Sequence, residues 1–253
     1  MQEKLNYFSD EYTKEEVKFY GLSEYYENPD EKKKGISVVS HAILGRCDDF
    51  LNVNMRIDED FVCPSLYIDG SIWMSITPME VQSHVVPIMR ATGKVGIAGL
   101  GMGYSALRIA SKEDVTVVDI WEDDARVIDF FKRNFSDRPE FKKMFFHCGD
   151  ALVGMPGEKF DSVYLDIWQD LCGDQMLDDM IELDDTLQCD NVSYWGEELI
   201  IYNALTNNQI SAMDVNPEAR KLFSDFIQSE HCNLRPPYVS NQYVEDWLDY
   251  RSS

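Results

Sequence analysis

The sequence is poor in basic residues, with 23 lysines and arginines against 46 acidic residues and a formal net charge of −23. Proteins bind nucleic acids largely by neutralising phosphates with basic side chains, so this balance predicts that the chain does not act on DNA or RNA. The acidic excess suits a neutral, cationic or protein partner, although it equally serves solubility alone.

Long apolar runs and paired cysteines are also missing. No stretch of about 18 apolar residues occurs, so no membrane-spanning segment is predicted. The N-terminus, MQEKLNYFSDEYTKEE, lacks the apolar core of a secretory signal, and we expect a cytoplasmic protein. The 6 cysteines are scattered without a CxxC pair, which predicts free thiols and no metal site.

A glycine-rich turn, GLGMG at residues 99–103, follows an apolar strand and precedes a stretch with helical periodicity. Glycines at such a turn let a ligand approach the backbone at the start of a helix. Asp119 follows Gly99 by about 20 residues and is predicted to end the next strand. A carboxylate there can accept hydrogen bonds from the ribose hydroxyls of an adenosine cofactor.

Strands and helices alternate after Gly93, which predicts a parallel sheet with helices on both faces. Residues 1–90 are predicted to form a small, β-rich N-terminal region with short helices and hairpins, and residues 91–253 a Rossmann-like cofactor-binding domain. The β-rich region includes a turn at Asp69-Gly70 and a helix that begins after Thr77 and reaches Arg90. Further helices are predicted at 174–188 and 217–229, and a further strand at 198–202.

Two cofactor classes fit the glycine turn. Residues 101–106 match the GxGxxA pattern of nicotinamide-dinucleotide enzymes, while residues 99–103 match the GxGxG pattern of Rossmann-like methyltransferases. Two later strands also end near acids, Asp150 and Asp166, which face the ligand crevice in an open parallel sheet. We expect Asp150 to bind the adenine amine and Asp166 to act at the reacting centre as a base or orienting acceptor. A dinucleotide enzyme does not need these acids, so S-adenosylmethionine is the favoured cofactor.

The succession GLGMG, VTVVDI, CGDA and FDSVYLD resembles class I S-adenosylmethionine-dependent methyltransferases, in particular their spermidine-synthase-like branch. The resemblance covers roughly residues 60–170, including the hairpin and helix that precede the glycine turn. It implies a Rossmann-like fold, S-adenosylmethionine as cofactor and a catalytic Asp166. The predicted cofactor-binding residues are Gly99, Gly101, Gly103, Asp119, Ile120, Asp150, Ala151 and Gln82.

Several alternatives remain open at the level of sequence. Polyamine-forming members of the branch have GGGxG at the turn and an Asp-Ser-Ser-Asp stretch, where this chain has GLGMG and DIWQD. Methyl transfer to a small molecule or protein is therefore favoured over aminopropyl transfer, and a non-catalytic cofactor-binding protein is a third possibility. His84 is predicted either to contact a ligand or to pack in the interior, and Trp168 either to contact a cation or to anchor a loop. The β-rich N-terminal region suggests a homodimer, because such extensions pair subunits in the resembled family.

Overall fold

The computed structural model describes residues 7–22, 29–48, 54–168, 186–187, 189, 191–197 and 199. The helices predicted at 174–188 and 217–229 and the strand predicted at 198–202 lie almost entirely outside these residues. Among the helices of the described ranges, none combines the length and apolarity needed to cross a membrane.

The N-terminal part contains two helices and an antiparallel sheet. Helix α1 (Asp10–Tyr20) begins at Ser9, whose side chain accepts a hydrogen bond from the Tyr12 amide, and α2 (Pro29–Lys33) follows. Strands β1 (Ile36–Asp48), β2 (Asn54–Ile68) and β3 (Ser71–Ser75) pair in the order β1-β2-β3. The Asp69-Gly70 turn joins β2 to β3 with positive φ at both residues, as predicted for this hairpin.

The helix predicted from Thr77 to Arg90 is interrupted. It consists of α3 (Pro78–Ser83) and α4 (Val85–Arg90), which meet at His84. Pro87 has no backbone N–H to offer to the carbonyl of Ser83, and its ring crowds that carbonyl. The interruption therefore follows from a proline in the interior of the predicted helix.

The second sheet is parallel. Its elements in chain order are β4 (Gly93–Ala98), α5 (Tyr104–Ser111), β5 (Val115–Glu122), α6 (Ala125–Phe135), a 3-10 helix (Pro139–Lys143), β6 (Met144–Cys148), α7 (Ala151–Gly154), β7 (Ser162–Leu165) and β8 (Val192–Tyr194). The strands lie in the order β6-β5-β4-β7-β8, and all neighbours are parallel. This is a Rossmann-like α/β fold beside a small antiparallel sheet, as predicted. Strand β8 was not predicted, because VSY is too short to show a periodicity.

Strand β5 extends further than its sequence predicts. Trp121 and Glu122 continue it and lie opposite His147 and Cys148 of β6. Trp121 is buried, and an aromatic side chain of this kind favours strand continuation. Asp119 therefore lies within the strand, and the prediction that it ends the strand is wrong.

Contacts from α1 hold the N-terminal part against the glycine turn. The Tyr20 hydroxyl donates a hydrogen bond to the Met102 carbonyl at 2.7 Å. Glu16, also on α1, accepts hydrogen bonds from the Tyr104 hydroxyl at 2.7 Å and from the Arg108 guanidinium at 2.5 and 2.6 Å. Because Glu16 and Tyr104 are buried, α1 is anchored to α5 by a hydrogen-bonded ion pair rather than by apolar packing alone.

Candidate functional site

A cavity of about 630 Å³ lies at the carboxyl ends of β4, β5 and β7. Strand order reverses beside β4, and ligands of open parallel sheets bind at such a point. Strand β3 of the antiparallel sheet contributes a further wall. The residues that line the cavity are Ile68, Ile72, Trp73, Met74, Ser75, Met79, Glu80, Gly99, Gly101, Trp121, Glu122, Asp123, Asp124, Gly149, Asp150, Ala151, Leu152, Asp166, Ile167, Trp168 and Trp195.

The glycine turn borders this cavity through Gly99 and Gly101, two of the residues predicted to bind a cofactor. Gly99 has φ +89°, and a side chain there would collide with the backbone carbonyl of Asp166. Gly101 has φ +49°, and a side chain there would collide with the sulfur of Met74. The glycines thus permit three segments, the turn, β3 and the chain after β7, to meet at one point.

Glu122 is the acid at the end of β5, and sequence reasoning missed it. Its Oε2 accepts hydrogen bonds from the backbone amides of Leu100 at 2.9 Å and Gly101 at 3.4 Å, and its Oε1 accepts one from Asp124 at 3.0 Å. The carboxylate therefore joins the glycine turn to the start of α6 while it faces the cavity. The run Glu122-Asp123-Asp124 before a helix was the available sequence signal, because Asp124 caps α6.

Asp119, predicted to bind the ribose, is not among the residues that line the cavity. Its carboxylate lies 3.2 Å from the Lys94 ammonium and 3.0 Å from His147 Nε2. The strand register places Asp119 opposite Gly96, before the carboxyl end of the sheet. Asp119 therefore pairs with basic groups beside the sheet.

Three other predicted cofactor residues also lie away from the cavity lining. Gln82 and Ile120 are fully buried, with no exposed surface. Gly103 is the residue before α5, and a side chain there would collide with the Phe131 ring. Asp150 and Ala151 do line the cavity, where the Asp150 side chain accepts a hydrogen bond from the Leu152 amide at 2.8 Å and caps α7.

Asp166, the predicted catalytic residue, borders the cavity directly after β7. Its backbone amide donates to the Ala98 carbonyl at 2.9 Å, which fixes it beside the glycine turn. Burial raises the pKa of the Asp166 carboxyl to about 7, and the nearby carboxylates of Glu80 and Glu122 act in the same direction. His84 and a hydrogen bond from Tyr164 oppose that rise.

His84 is a buried residue rather than a cavity-lining one, with 1% of its surface exposed. Its Nδ1 lies 2.6 Å from the Tyr164 hydroxyl and its Nε2 lies 3.3 Å from Glu80 Oε1. Trp168 lines the cavity, and its ring lies 6.4 Å from that of Tyr194. The geometry of His84 therefore supports the second of its two predicted roles, packing in the interior. Trp168, in contrast, is placed where it can contact a ligand.

The cavity lining combines carboxylates with indole rings. Among the described residues that line it, the charged ones are all acidic: Glu80, Glu122, Asp123, Asp124, Asp150 and Asp166. Four tryptophans accompany them, at positions 73, 121, 168 and 195. Such a lining accepts hydrogen bonds from hydroxyls and amines, stacks on flat rings and attracts cations. Within the described ranges, no group of three or more His, Cys, Asp or Glu side chains is placed to hold a metal ion.

A parallel sheet in this order, with a glycine turn after its central strand β4, is a doubly wound Rossmann-like fold, the fold class that the sequence predicted. No protein-family model matches the chain. No curated protein matches it either.

Solved structures with a similar fold include three relevant examples. Spermidine synthase from Thermotoga maritima is 17% identical, with 67% of this chain and 62% of that chain covered and a TM-score of 0.39. A methyltransferase from Geobacter sulfurreducens is 16% identical, with 42% and 52% covered and a TM-score of 0.33. The DhpI-SAM-HEP complex is 17% identical, with 42% and 47% covered and a TM-score of 0.33. The matched region thus spans between 47% and 62% of these chains, and at such identities the likeness concerns the fold alone.

Proposed function

We propose that this chain is an S-adenosylmethionine-dependent methyltransferase whose cofactor binds in the cavity described above. The observation that carries the proposal is the position of Glu122, which holds the amides of the glycine turn and faces the cavity at the end of β5. In a doubly wound sheet this is the place from which a carboxylate reaches the ribose of a bound nucleoside.

The residues present fit such a cofactor. The cavity falls within the range of about 300–1,000 Å³ that is usual for small-molecule sites. The Glu122 carboxylate makes three hydrogen bonds to backbone amides and, with about four lone-pair positions, can accept a further one from a ribose hydroxyl. Asp150 offers a carboxylate to the adenine amine, and the Trp121 ring offers a flat apolar surface. The surrounding acids favour a cationic sulfonium over an anionic cofactor.

Bound S-adenosylmethionine would supply a reactive methyl group on a positively charged sulfur. The protein would hold the acceptor in line with that group, and orientation of this kind contributes roughly 7–11 kcal/mol in well-aligned systems. Asp166 would accept the proton that the acceptor loses, because a carboxyl with a pKa of about 7 is an effective base near neutral pH.

The acceptor is proposed to be a small molecule or a protein side chain, not a nucleic acid. The acidic lining of the cavity also favours a second candidate, aminopropyl transfer from decarboxylated S-adenosylmethionine to a polyamine, because a polyamine is cationic. A homodimer and a cytoplasmic location stay predictions.

A ligand panel tests the proposal. Purified protein is melted alone and with S-adenosylhomocysteine, methylthioadenosine, NAD or NADP, each in large excess. S-adenosylhomocysteine at about 100 times its Kd should stabilise the native state by about 2.7 kcal/mol, a shift of several degrees in Tm. A larger shift with methylthioadenosine would favour aminopropyl transfer, and a shift with NAD or NADP alone would overturn the proposal. Binding without transfer of labelled methyl to any amine, hydroxyl or thiol acceptor would favour a non-catalytic protein.

A further inference from the structure

The mouth of the cavity is apolar and exposed. Ile72, Trp73, Leu152 and Ile167 all line the cavity, yet each is between 41% and 62% exposed. Residues with both properties lie where a cavity opens to the surface. Val153, next to Leu152, is 79% exposed and extends this apolar surface beyond the lining. We call these five residues the apolar rim. Exposed apolar side chains grouped in this way mark a binding surface, here one that reaches past the cavity itself.

Further in, the cavity holds a carboxylate beside an indole ring. Glu80 and Trp195 both line the cavity, and only 6% and 5% of their surfaces are exposed. The Trp195 Nε1–H donates to the Ser83 hydroxyl at 2.8 Å, and that hydroxyl donates to the Glu80 backbone carbonyl at 2.8 Å. These hydrogen bonds hold the indole to α3, the helix that carries Glu80.

The Glu80 carboxylate can accept a cationic partner from the cavity. Its Oε1 lies 3.3 Å from His84 Nε2, and in the described part of the chain no donor lies within hydrogen-bond distance of Oε2. The described residues that line the cavity include no lysine, arginine or histidine. An ammonium group fits this position, because the carboxylate accepts its hydrogen bonds and an indole face attracts its charge.

We propose that the apolar rim docks a basic segment of another protein, and that a lysine side chain of this segment enters the cavity as the methyl acceptor. The lysine ammonium would contact Glu80 and Trp195, while apolar neighbours of the lysine cover the apolar rim. The inference rests on the proposed function and deepens it by naming the acceptor class. Lysine fits better than arginine, since an ammonium gives up a proton far more readily than a guanidinium.

Charge distinguishes this partner from other occupants of the apolar rim. A second copy would place the same surface against itself, so that Asp123 and Asp150, exposed at the cavity, would face their own counterparts. The net charge of −23 adds to this repulsion, and anionic lipid headgroups would be repelled too. A small amine would satisfy Glu80 but leave the apolar rim uncovered. A protein segment with basic and apolar residues complements both features.

Methyl transfer to such a lysine balances. The ammonium first gives one proton to the Asp166 carboxylate, as in the proposed function, and becomes a neutral amine. The nitrogen lone pair then forms the N–C bond to the methyl group while the C–S bond breaks, and the electron pair of that bond stays on sulfur. The positive charge ends on the methylated ammonium, and no oxidant or reductant is involved.

Calorimetric titration of the full chain with three blocked peptides tests the proposal. The first peptide has one lysine between leucine and phenylalanine residues, the second has glutamine in place of the lysine, and the third has serines in place of the apolar residues. The Kd of the second and third peptides should be at least about tenfold higher than that of the first. Butylamine, the small-amine probe, should bind at least about a hundredfold more weakly than the first peptide. With S-adenosylmethionine added, mass spectrometry should find a methyl group on the lysine of the first peptide.

Two matched variants test the apolar rim. Ile72→Ser should raise the Kd of the first peptide at least about fivefold, because it removes an exposed apolar side chain at the mouth of the cavity. Phe145→Ser removes a similarly exposed side chain from β6, outside the cavity lining, and should change that Kd by less than about twofold. Glu80→Gln should weaken the first peptide but not the second. If this buried substitution prevents folding, the comparison of Ile72→Ser with Phe145→Ser still decides.

Several results would overturn the proposal. They are equal Kd values for the lysine and glutamine peptides, butylamine binding as tight as that of the first peptide, equal effects of Ile72→Ser and Phe145→Ser, and peptide binding without methyl transfer. Dimerisation, or flotation with phosphatidylcholine vesicles, that Ile72→Ser abolishes would assign the apolar rim to another occupant. The absence of a thermal shift with S-adenosylhomocysteine would refute the proposed cofactor, whereas peptide titrations without cofactor report on the docking surface alone.

Discussion

Exchange of Glu122 for glutamine probes the proposed cofactor site most directly. The change preserves size and one acceptor oxygen but removes the negative charge. In the cofactor-free protein, Glu122→Gln weakens the contacts to the Leu100 and Gly101 amides, because its second terminal atom becomes a donor. In the complex it also weakens the bond to a ribose hydroxyl.

The magnitude follows from the hydrogen bonds that Glu122 makes. A hydrogen bond to a charged group contributes about 1.5–3 kcal/mol net, and one such interaction is lost or reduced to a neutral one. Since about 1.4 kcal/mol corresponds to a tenfold change, the Kd for S-adenosylhomocysteine should rise by about ten- to a hundredfold. Isothermal titration calorimetry measures this Kd on the full chain.

Asp119→Asn is the matched control, because it makes the same chemical change on the same strand outside the cavity lining. We expect it to change the Kd by less than about threefold. The free energy of unfolding of both cofactor-free variants, measured in urea, separates a loss of fold from a loss of binding. Equal losses of affinity in the two variants, or a larger loss in Asp119→Asn, would refute the assignment of Glu122.

Three further predictions concern stability in urea. Gly99→Ala should destabilise the native state by about 3 kcal/mol, because Gly99 has a positive φ and a side chain there would collide with the Asp166 carbonyl. Gly157 is the control, because it has φ +88° but open space around it, and Gly157→Ala should cost only about 1 kcal/mol. Because the pKa of Asp166 is about 7 when folded and near 4 when unfolded, its ionisation removes stability as pH rises from about 4 to 7. Asp166→Asn should therefore gain stability relative to the natural protein at pH 8, by at most about 4 kcal/mol, and gain little at pH 4. Glu197→Gln should cost about 3 kcal/mol, because it removes the negative charge that lies 3.1 Å from the buried Arg90 guanidinium.

Each of these outcomes has a clear opposite. Equal costs at Gly99 and Gly157 would show that the turn does not depend on the close approach of the Asp166 carbonyl. A stability difference between Asp166→Asn and the natural protein that is the same at pH 4 and pH 8 would contradict a raised pKa. A cost below about 1 kcal/mol for Glu197→Gln would mean that the Arg90 pair is hydrated.

Local sequence patterns were sufficient for much of the fold. Strand β4 and helix α5 were predicted on either side of the glycine turn, because the strand is mostly apolar and the helix has a clear period. The Asp69-Gly70 hairpin was predicted because few residues tolerate positive φ at two successive positions. The alternation of strands and helices and the glycine turn together predicted the Rossmann-like α/β fold.

Some residues of the site could likewise be predicted from local sequence, and others could not. Gly99, Gly101, Asp150, Ala151 and Asp166 were placed at the cavity by their position after a strand, which is a local property. The end of β5 could not be predicted from local sequence, because Trp121 and Glu122 become part of the strand only by pairing with β6. The strand was predicted to end near Asp119, so Glu122, the acid of β5 that lines the cavity, was missed.

The amino-acid sequence by itself determined a parallel sheet with helices on both faces, a glycine turn and acids after the strands. These features depend on backbone sterics and on hydrophobic periodicity, which are properties of residues close together in the chain. Only the tertiary structure decided which acid of β5 faces the cavity and which side chains surround His84 in the interior. Strand register and the approach of Tyr164 to His84, 80 residues apart in the chain, arise from packing between distant segments, and no local pattern encodes them.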